Sequence, residues 1–383
     1  MLILKGYKFR LYPNAKQQEL INKTIGCTRQ VYNHFLYEKQ NDYKKTKTSK
    51  SAYEQMKELK ELQIEYPYLK EVDSCSLRNS IFALDDAYKR FYSGSGYPKY
   101  KKKDTHNSYK TNNVKNDYKG KHYESIKLDL KNKVITLPKL KEVKIRGYRN
   151  IDNIIGDIKS AVIRREAGKY YVSVLVEEEI ILQPFIPKNI IGIDLGIKDL
   201  IVTSTGEKIE NSIKTKNLKK RIKGLQRGLS RCKPGSKNRY KLKIKLQRCY
   251  QKLKNMRKYL IHNITNKLIE ENDIIITEDL NIGNMQKNHN IAKALVDTSL
   301  YEIIRTLKYK AKWKNKKLIQ IDRYYPSSQI CSRCNYQNRK VKDLSIRKWE
   351  CPKCMTTHDR DINASLNILW EGIKIYMKEE LQA

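Results

Sequence analysis

The chain has 383 residues, enough for two or three domains and a sizeable apolar core. Its 80 Lys and Arg face only 41 Asp and Glu, a formal net charge of +39. That excess excludes a chain that neutralises itself and calls for a polyanionic partner, with nucleic acid the first candidate.

A bias toward Lys, Ile, Asn and Tyr codons accounts for part of the excess, but would raise Asn as readily as Lys. No run approaches the ~20 apolar residues of a membrane span. The opening MLILKGYKFRLYP turns charged after four residues, unlike a secretory signal. A cytoplasmic location is therefore expected. There, eight cysteines point to metal binding or free thiols rather than to a disulfide framework.

Tyr7, Phe9 and Leu11 alternate with Lys8, Arg10 and Tyr12, the period of a strand that Pro13 ends. Asn14 and Gln17 form a capping-box pattern opening a helix to about Tyr37, with Leu20, Ile21, Val31, Phe35 and Leu36 on its apolar side. Two more helices are expected near Ala52 to Gln63 and Ser76 to Phe91, completing a helical lobe.

From Gly94 to about Lys121 the chain is rich in Tyr, Lys and Asn. Lys99, Lys101, Lys102 and Lys103, interleaved with Tyr97 and Tyr100, suit phosphate contact and base stacking. A solvated loop explains the same stretch equally well. Residues 125–180 read as β-rich, with a strand at Lys133 to Pro138. A hairpin of Ser160 to Arg165 and Tyr170 to Val176 closes around Ala167-Gly168. With residues 4–12 these strands are expected to complete a small barrel into which the helical lobe is inserted.

The apolar run Ile190-Ile191-Gly192-Ile193 begins an alternation of strands and helices. Between Ile213 and Lys267 lie two basic helical stretches broken at Lys233-Pro234-Gly235-Ser236. Lys219, Lys220, Arg221, Lys223 and Arg227 on the first are candidate nucleic-acid contacts, since few acids oppose them.

Three acidic islands stand at strand ends or a helix start: Asp194 after Ile191-Gly192-Ile193, Glu278 after Ile274-Ile275-Ile276-Thr277, and Asp361 in His358-Asp359-Arg360-Asp361. Brought together, three carboxylates offer the hard oxygen ligands that Mg²⁺ prefers, and two such ions suit phosphodiester hydrolysis. Each island alone is more often a cap or a surface acid. An actin-like ATPase also places Asp-x-Gly after a strand, but it needs glycine-rich phosphate loops that 16 scattered glycines do not supply.

Cys331-x-x-Cys334 and Cys351-x-x-Cys354 are separated by sixteen residues. Four thiolates at this spacing close a tetrahedral Zn²⁺ site with no open position, so one structural zinc ion is expected. The ribbon runs directly into the third acidic island, and its folding is expected to help place Asp361. Cys27, Cys75, Cys232 and Cys249 are scattered and read as free thiols.

Together Tyr7-Lys8-Phe9-Arg10-Leu11-Tyr12-Pro13, Gly192-Ile193-Asp194-Leu195-Gly196, Thr277-Glu278-Asp279-Leu280, Ser327-Ser328-Gln329-Ile330-Cys331-Ser332-Arg333-Cys334 and His358-Asp359-Arg360-Asp361-Ile362-Asn363-Ala364 resemble TnpB, the insertion-sequence-encoded relatives of type V CRISPR effectors. The resemblance spans essentially the whole chain. It implies a multidomain α+β protein of prokaryotic type. A wedge β-barrel (1–12 and 121–186) is interrupted by a helical recognition lobe (13–120). An RNase H-like RuvC nuclease domain (187–330 and 355–383) then holds a zinc-binding target-nucleic-acid insertion (331–354).

It further implies a nuclease that binds an element-derived guide RNA, recognises a short motif beside its double-stranded DNA target, and cuts the guide-complementary DNA. Asp194, Glu278 and Asp361 become the catalytic, Mg²⁺-binding acids, while Asp279 and Asp359 are not assigned. The chain departs from the pattern where Asn335 and Met355 replace the glycine that often follows each CxxC. It departs again at Lys99, where relatives often carry an Arg with a bidentate fork. A miniature CRISPR effector would share this chemistry. A guided repressor would lack the acids, a non-enzymatic RNA-binding protein would not explain them, and a DNA-joining transposase would show His-hydrophobe-His.

Overall fold

The computed structural model describes residues 1–103, 105–118, 121–147, 154–181, 186–211, 215–285, 287 and 298–382. It divides into two compact units, Met1–Ile180 and Ile181–Ala383.

In the first unit β1 (Leu2–Tyr12) leads into α1 (Ala15–Thr46), α2 (Ala52–Glu65) and α3 (Ser74–Tyr92). The capping box is formed: Asn14 accepts from the Gln17 N–H at 2.9 Å, and Gln17 accepts from the Asn14 N–H at 3.0 Å. α1 runs nine residues past its expected end because no Gly or Pro interrupts Glu38 to Thr46, and only the apolar period fades there. Lys47 then stops it in the left-handed conformation. Ile21 and Ile25 of α1 enter the sheet's core, whereas Val31, Phe35 and Leu36 pack with Leu59, Leu62, Leu77, Ile81 and Leu84 of α2 and α3. One helix therefore belongs to two cores.

β2 (Ser108–Asn112), β5 (Lys127–Asp129), β6 (Val134–Leu137), β7 (Lys141–Arg146), β8 (Asp157–Glu166) and β9 (Lys169–Glu179) join β1 in an antiparallel sheet of order β2-β8-β9-β1-β7-β6-β5. β3 (Lys115–Tyr118) and β4 (Lys121–Glu124) form a separate hairpin. The tyrosine- and lysine-rich stretch thus carries two strands rather than only a loop. Ala167 and Gly168, both with positive φ, make the tight turn between β8 and β9.

A closed barrel is not what these strands make. The sheet is open, with β2 and β5 as its edges. Beside the edges the chain is tied by side chains as well as by a backbone bond from the Ser125 N–H to the Val114 carbonyl at 3.0 Å. The Asn113 amide oxygen accepts from the Ile126 N–H at 2.9 Å, and the Ser125 hydroxyl accepts from the Val114 N–H at 2.8 Å. β2 pairs with β8 and β5 with β6, and between them the chain spends its backbone groups on the separate β3–β4 hairpin.

The second unit centres on a five-stranded sheet of order β12-β11-β10-β13-β14. β10 (Ile190–Asp194), β11 (Asp199–Thr203) and β12 (Lys208–Glu210) are antiparallel neighbours, while β13 (Ile274–Glu278) and β14 (Lys317–Ile321) run parallel to β10. Both faces are covered, which is why β10 and β13 read as unbroken apolar runs. On one face lie Ile261, Ile264 and Leu268 of α5 (Lys237–Glu271), with Ile303 and Leu307 of the helix Leu300–Trp313. On the other lies the C-terminal helix Arg360–Gln382. α4 (Lys216–Arg231) folds back on α5 through Ile222, Cys249 and Leu253.

Candidate active site and metal centre

Parallel pairing of β10 and β13 sets Ile193 opposite Thr277, so Asp194 and Glu278 stand side by side where the two strands end. The third acid comes from the C-terminal helix, which approaches the sheet unusually closely. A Cβ at Gly192 would collide with the Ser365 carbonyl oxygen and sit 2.7 Å from the Leu369 nitrogen, and one at Gly372 would collide with Ile276. These two glycines let backbone meet sheet, and Asp361 in the helix's first turn reaches the strand ends.

The electrostatics record this convergence. Burial pushes the Asp194 carboxyl up to about 7, and the negative charges of Glu278 and Asp361 add to it, against opposition from the Arg360 guanidinium and the Leu195 N–H. Burial raises Glu278 too, opposed by the Ser327 hydroxyl, which donates to Oε1 at 2.5 Å. The Arg347 guanidinium lies 3.4 and 3.5 Å from the two Asp361 oxygens.

The two neighbouring acids are already committed. Asp279 pairs with Arg323. Asp359 accepts from the Asp361 and Ile362 N–H groups at 3.1 and 3.2 Å and pairs with Lys208 at 2.7 Å, so it caps the helix that carries Asp361. The three half-buried carboxylates offer the oxygen ligands that a hard divalent cation such as Mg²⁺ prefers, and such a cation would relieve the repulsion felt at Asp194.

The Sγ atoms of Cys331, Cys334, Cys351 and Cys354 lie within 4.8 Å of one another, with Cys331 to Cys354 at 3.6 Å and Cys334 to Cys351 at 3.5 Å. A regular tetrahedron with Zn–S near 2.3 Å has edges of about 3.8 Å, so the four fit zinc. Each CxxC makes the same knuckle. Asn335 N–H donates to the Cys331 carbonyl and Met355 N–H to that of Cys351, both at 2.9 Å. Asn335 at φ 60° and Met355 at φ 58° take up the left-handed conformation for which glycine is the usual residue. His358 Nε2 lies 3.0 Å from the Cys331 sulfur, and its ring packs 4.8 Å from that of Trp349.

The candidate phosphate contacts fare differently. Lys99, Lys102, Lys103, Lys220, Arg221, Lys223 and Arg227 are exposed, and Lys219 is half-buried. Lys101 is turned inward. Its ammonium sits 3.7 Å over the Tyr32 ring, burial lowers it to about 8, and Asn33 bonds its backbone on both sides. That placement ties the basic loop to α1 and leaves Lys101 half-buried.

Against this geometry, comparison with known proteins is direct. The chain is 32% identical over 380 residues to a Streptomyces pristinaespiralis protein named "Putative RNA-guided DNA endonuclease", covering 97% of this chain and 90% of that protein. It belongs to the same family, that of TnpB. Escherichia coli K12 has a relative, "Putative RNA-guided DNA endonuclease InsQ", 28% identical over 391 residues and covering 96% and 92% of the two chains. A mimivirus "TnpB-like protein L79" is 26% identical over 209 residues, half of this chain and 39% of that one.

Three family profiles match this TnpB chain: "Probable transposase" over residues 172–289, "Cas12f1-like, TNB domain" over 301–368, and "Helix-turn-helix domain" over 1–48. The last spans a strand and one long helix. Among solved structures, the "Cryo-EM structure of the Cas12f1-sgRNA-target DNA complex" aligns at a TM-score of 0.36 and 15% identity, over 96% of this chain and 99% of that one.

The sequence motifs contained more than was assigned to them. Ser327, Arg347, His358, Asn363 and Asn367 all contact the site or its supports. Of these, the pair Asn363 and Asn367, four apart at a helix start, carried a readable signal: two polar residues beside the apolar stripe of an amphipathic helix.

Proposed function

We propose that this TnpB-family endonuclease cuts DNA by Mg²⁺-dependent phosphodiester hydrolysis at Asp194, Glu278 and Asp361, directed by an element-derived guide RNA. The observation that carries the reading is the meeting of three carboxylates from two strand ends and a helix start, one of them holding its proton to about pH 7. Strand order β12-β11-β10-β13-β14 supports an RNase H-like RuvC domain. The open sheet with its inserted helices supports a wedge domain and recognition lobe, and the four-cysteine ribbon supports a target-nucleic-acid-binding insertion with one structural zinc.

Bound at these acids, two Mg²⁺ ions would activate a water and stabilise the leaving oxygen. The protein's own residues hold the carboxylates ready. Asp359 fixes the helix start, Arg360 offsets part of the negative field at Asp194, and the glycines at 192 and 372 set the distance between sheet and helix. Target choice rests with guide pairing beside a short motif in double-stranded DNA. The protein contributes backbone contacts from residues such as Lys99, Lys102, Lys103, Lys220, Arg221, Lys223 and Arg227.

Expression with native flanking DNA, followed by sequencing of the co-purifying RNA, tests the guided reading. One dominant RNA running into flanking sequence, and Mg²⁺-dependent cutting of a matching plasmid, are expected; heterogeneous RNA without sequence-directed cutting would overturn it. Replacing Lys220, Arg221, Lys223 and Arg227 together by Ala should reduce the salt slope of nucleic-acid binding. The reduction should be about 0.7–0.9 for each phosphate no longer neutralised, with no change in target preference. Binding curves at several salt concentrations measure it.

A further inference from the structure

One loop touches both candidate metal sites. After β14 the chain turns through Pro326, whose carbonyl accepts from the Gln329 N–H at 2.9 Å and from the Ile330 N–H at 3.3 Å, and then enters the first zinc knuckle at Cys331. Two asparagines of the C-terminal helix grip this turn. The Asn367 side-chain amide donates to the Ser327 carbonyl at 2.7 Å and to the Ile330 carbonyl at 2.6 Å. Asn363 donates to the same Ile330 carbonyl at 2.7 Å and accepts from the Ser332 N–H at 3.0 Å. Asn363, Asn367 and Ser327 are at most 6% exposed, so these bonds exchange little with water and hold the turn to one position. From that position the Ser327 hydroxyl donates to Glu278.

A buried asparagine that merely satisfies a loop is the ordinary expectation. Two features go beyond it here. The gripped carbonyl belongs to the very residue whose hydroxyl meets Glu278, and the gripping helix is the one that supplies Asp361.

We infer that Ser327, clamped by Asn363 and Asn367, is a positioning residue for Glu278, and that this clasp ties the zinc ribbon to the acid site. The inference rests on the reading of Glu278 as a metal ligand. In a metal site, a donor to a ligating carboxylate fixes which oxygen faces the ion, and losing such a donor costs about 10–100-fold in metal affinity. Ser327→Ala removes the donor while leaving the Asn367 bond to the backbone carbonyl. Ser327→Thr keeps the hydroxyl.

The test titrates the full-length protein with Mn²⁺ alone, followed by electron paramagnetic resonance, alongside zinc content and the Mg²⁺ dependence of cleavage. Ser327→Ala is expected to weaken Mn²⁺ binding at least about tenfold and to raise the Mg²⁺ needed for half-maximal cutting by a similar factor. Zinc should remain at its wild-type content, and Ser327→Thr should restore both values. Asn367→Ala, read in the same way, should reproduce the Mn²⁺ defect. Glu278→Gln separates the two levels of the argument. If it loses Mn²⁺ binding and cutting while Ser327→Ala keeps wild-type Mn²⁺ affinity, the clasp is refuted and the acid site stands. If Glu278→Gln binds Mn²⁺ and cuts like the wild type, the acid-site reading itself falls. Zinc loss in Ser327→Ala without rescue by Ser327→Thr would make the loop merely structural and also refutes the clasp.

Discussion

The second unit holds two clusters of like ionisable groups, and they solve opposite problems. The four cysteines lie on two knuckles of identical geometry within one short ribbon, and every position of a tetrahedron is filled. The three acids come from elements far apart in sequence, and burial, with the charges of Glu278 and Asp361 added, pushes Asp194 up to about 7. A closed, locally built thiolate cage suits an ion that stays. An open carboxylate set, on the proposed reading, suits ions that arrive with substrate and do chemistry.

The sharpest way to break this contrast is to remove one member of each set. Asp194→Ala should lower cleavage by at least about a thousandfold, since metal ions contribute several kcal/mol to the barrier, while guide and target binding stay near wild type. Gel-shift and cleavage assays on the same preparation would expose the opposite pattern. Cys351→Ser should lose zinc, measured by atomic emission, and lose cutting with it, because the ribbon leads into Asp361; full cutting without zinc would disconnect the two sites.

The effect of pH comes next in size. Asp194 binds a proton in the folded chain up to about pH 7 but only up to its ordinary 3.8 when unfolded. Between those values the native state holds more protons, so the Mg²⁺-free protein should lose stability as pH rises from about 4 through 7. Mg²⁺ affinity should move the other way, falling up to about tenfold per pH unit below 7 as the proton competes. Melting curves without added Mg²⁺, and Mg²⁺ titrations across that range, check both signs. Smallest is Met355→Gly. The side chain is 68% exposed and its φ is 58°, so glycine should relieve backbone strain without loss of packing. The expected gain is up to about 1 kcal/mol in the ribbon's resistance to unfolding, read by hydrogen exchange.

The same contrast explains what could be read from the sequence. Cysteine ligands declare themselves by spacing, because a knuckle is a local object. Asp194 and Glu278 were legible as acids ending apolar runs, and Asp361 as one opening an amphipathic helix. Their meeting depends on parallel pairing and on Gly192 and Gly372, whose role appears only when the helix lies on the sheet. Ser327 was invisible as a support for a similar reason, since Ser near a turn has many ordinary uses. The side-chain bonds of Asn113 and Ser125 beside the open edges follow no periodicity. Lys101 resembled its neighbours in sequence and parted from them only through Tyr32 and Asn33. The far end of α1 was missed because polar helix formers leave no apolar stripe.

The parallel pairing of β10 with β13 also has a kinetic side. The two strands are separated in sequence by β11, β12, α4 and α5, and such long-range pairing forms late, after local helices and hairpins. The lysines and arginines of α4 carry their charge without tertiary structure, so an immature chain is expected to attract polyanions early. On the proposed reading of the acids, cutting is not expected before β10 and β13 pair, since Asp194 and Glu278 become neighbours only then. Under the proposed function, topology would then act as a safety catch, with cutting expected only once folding is finished.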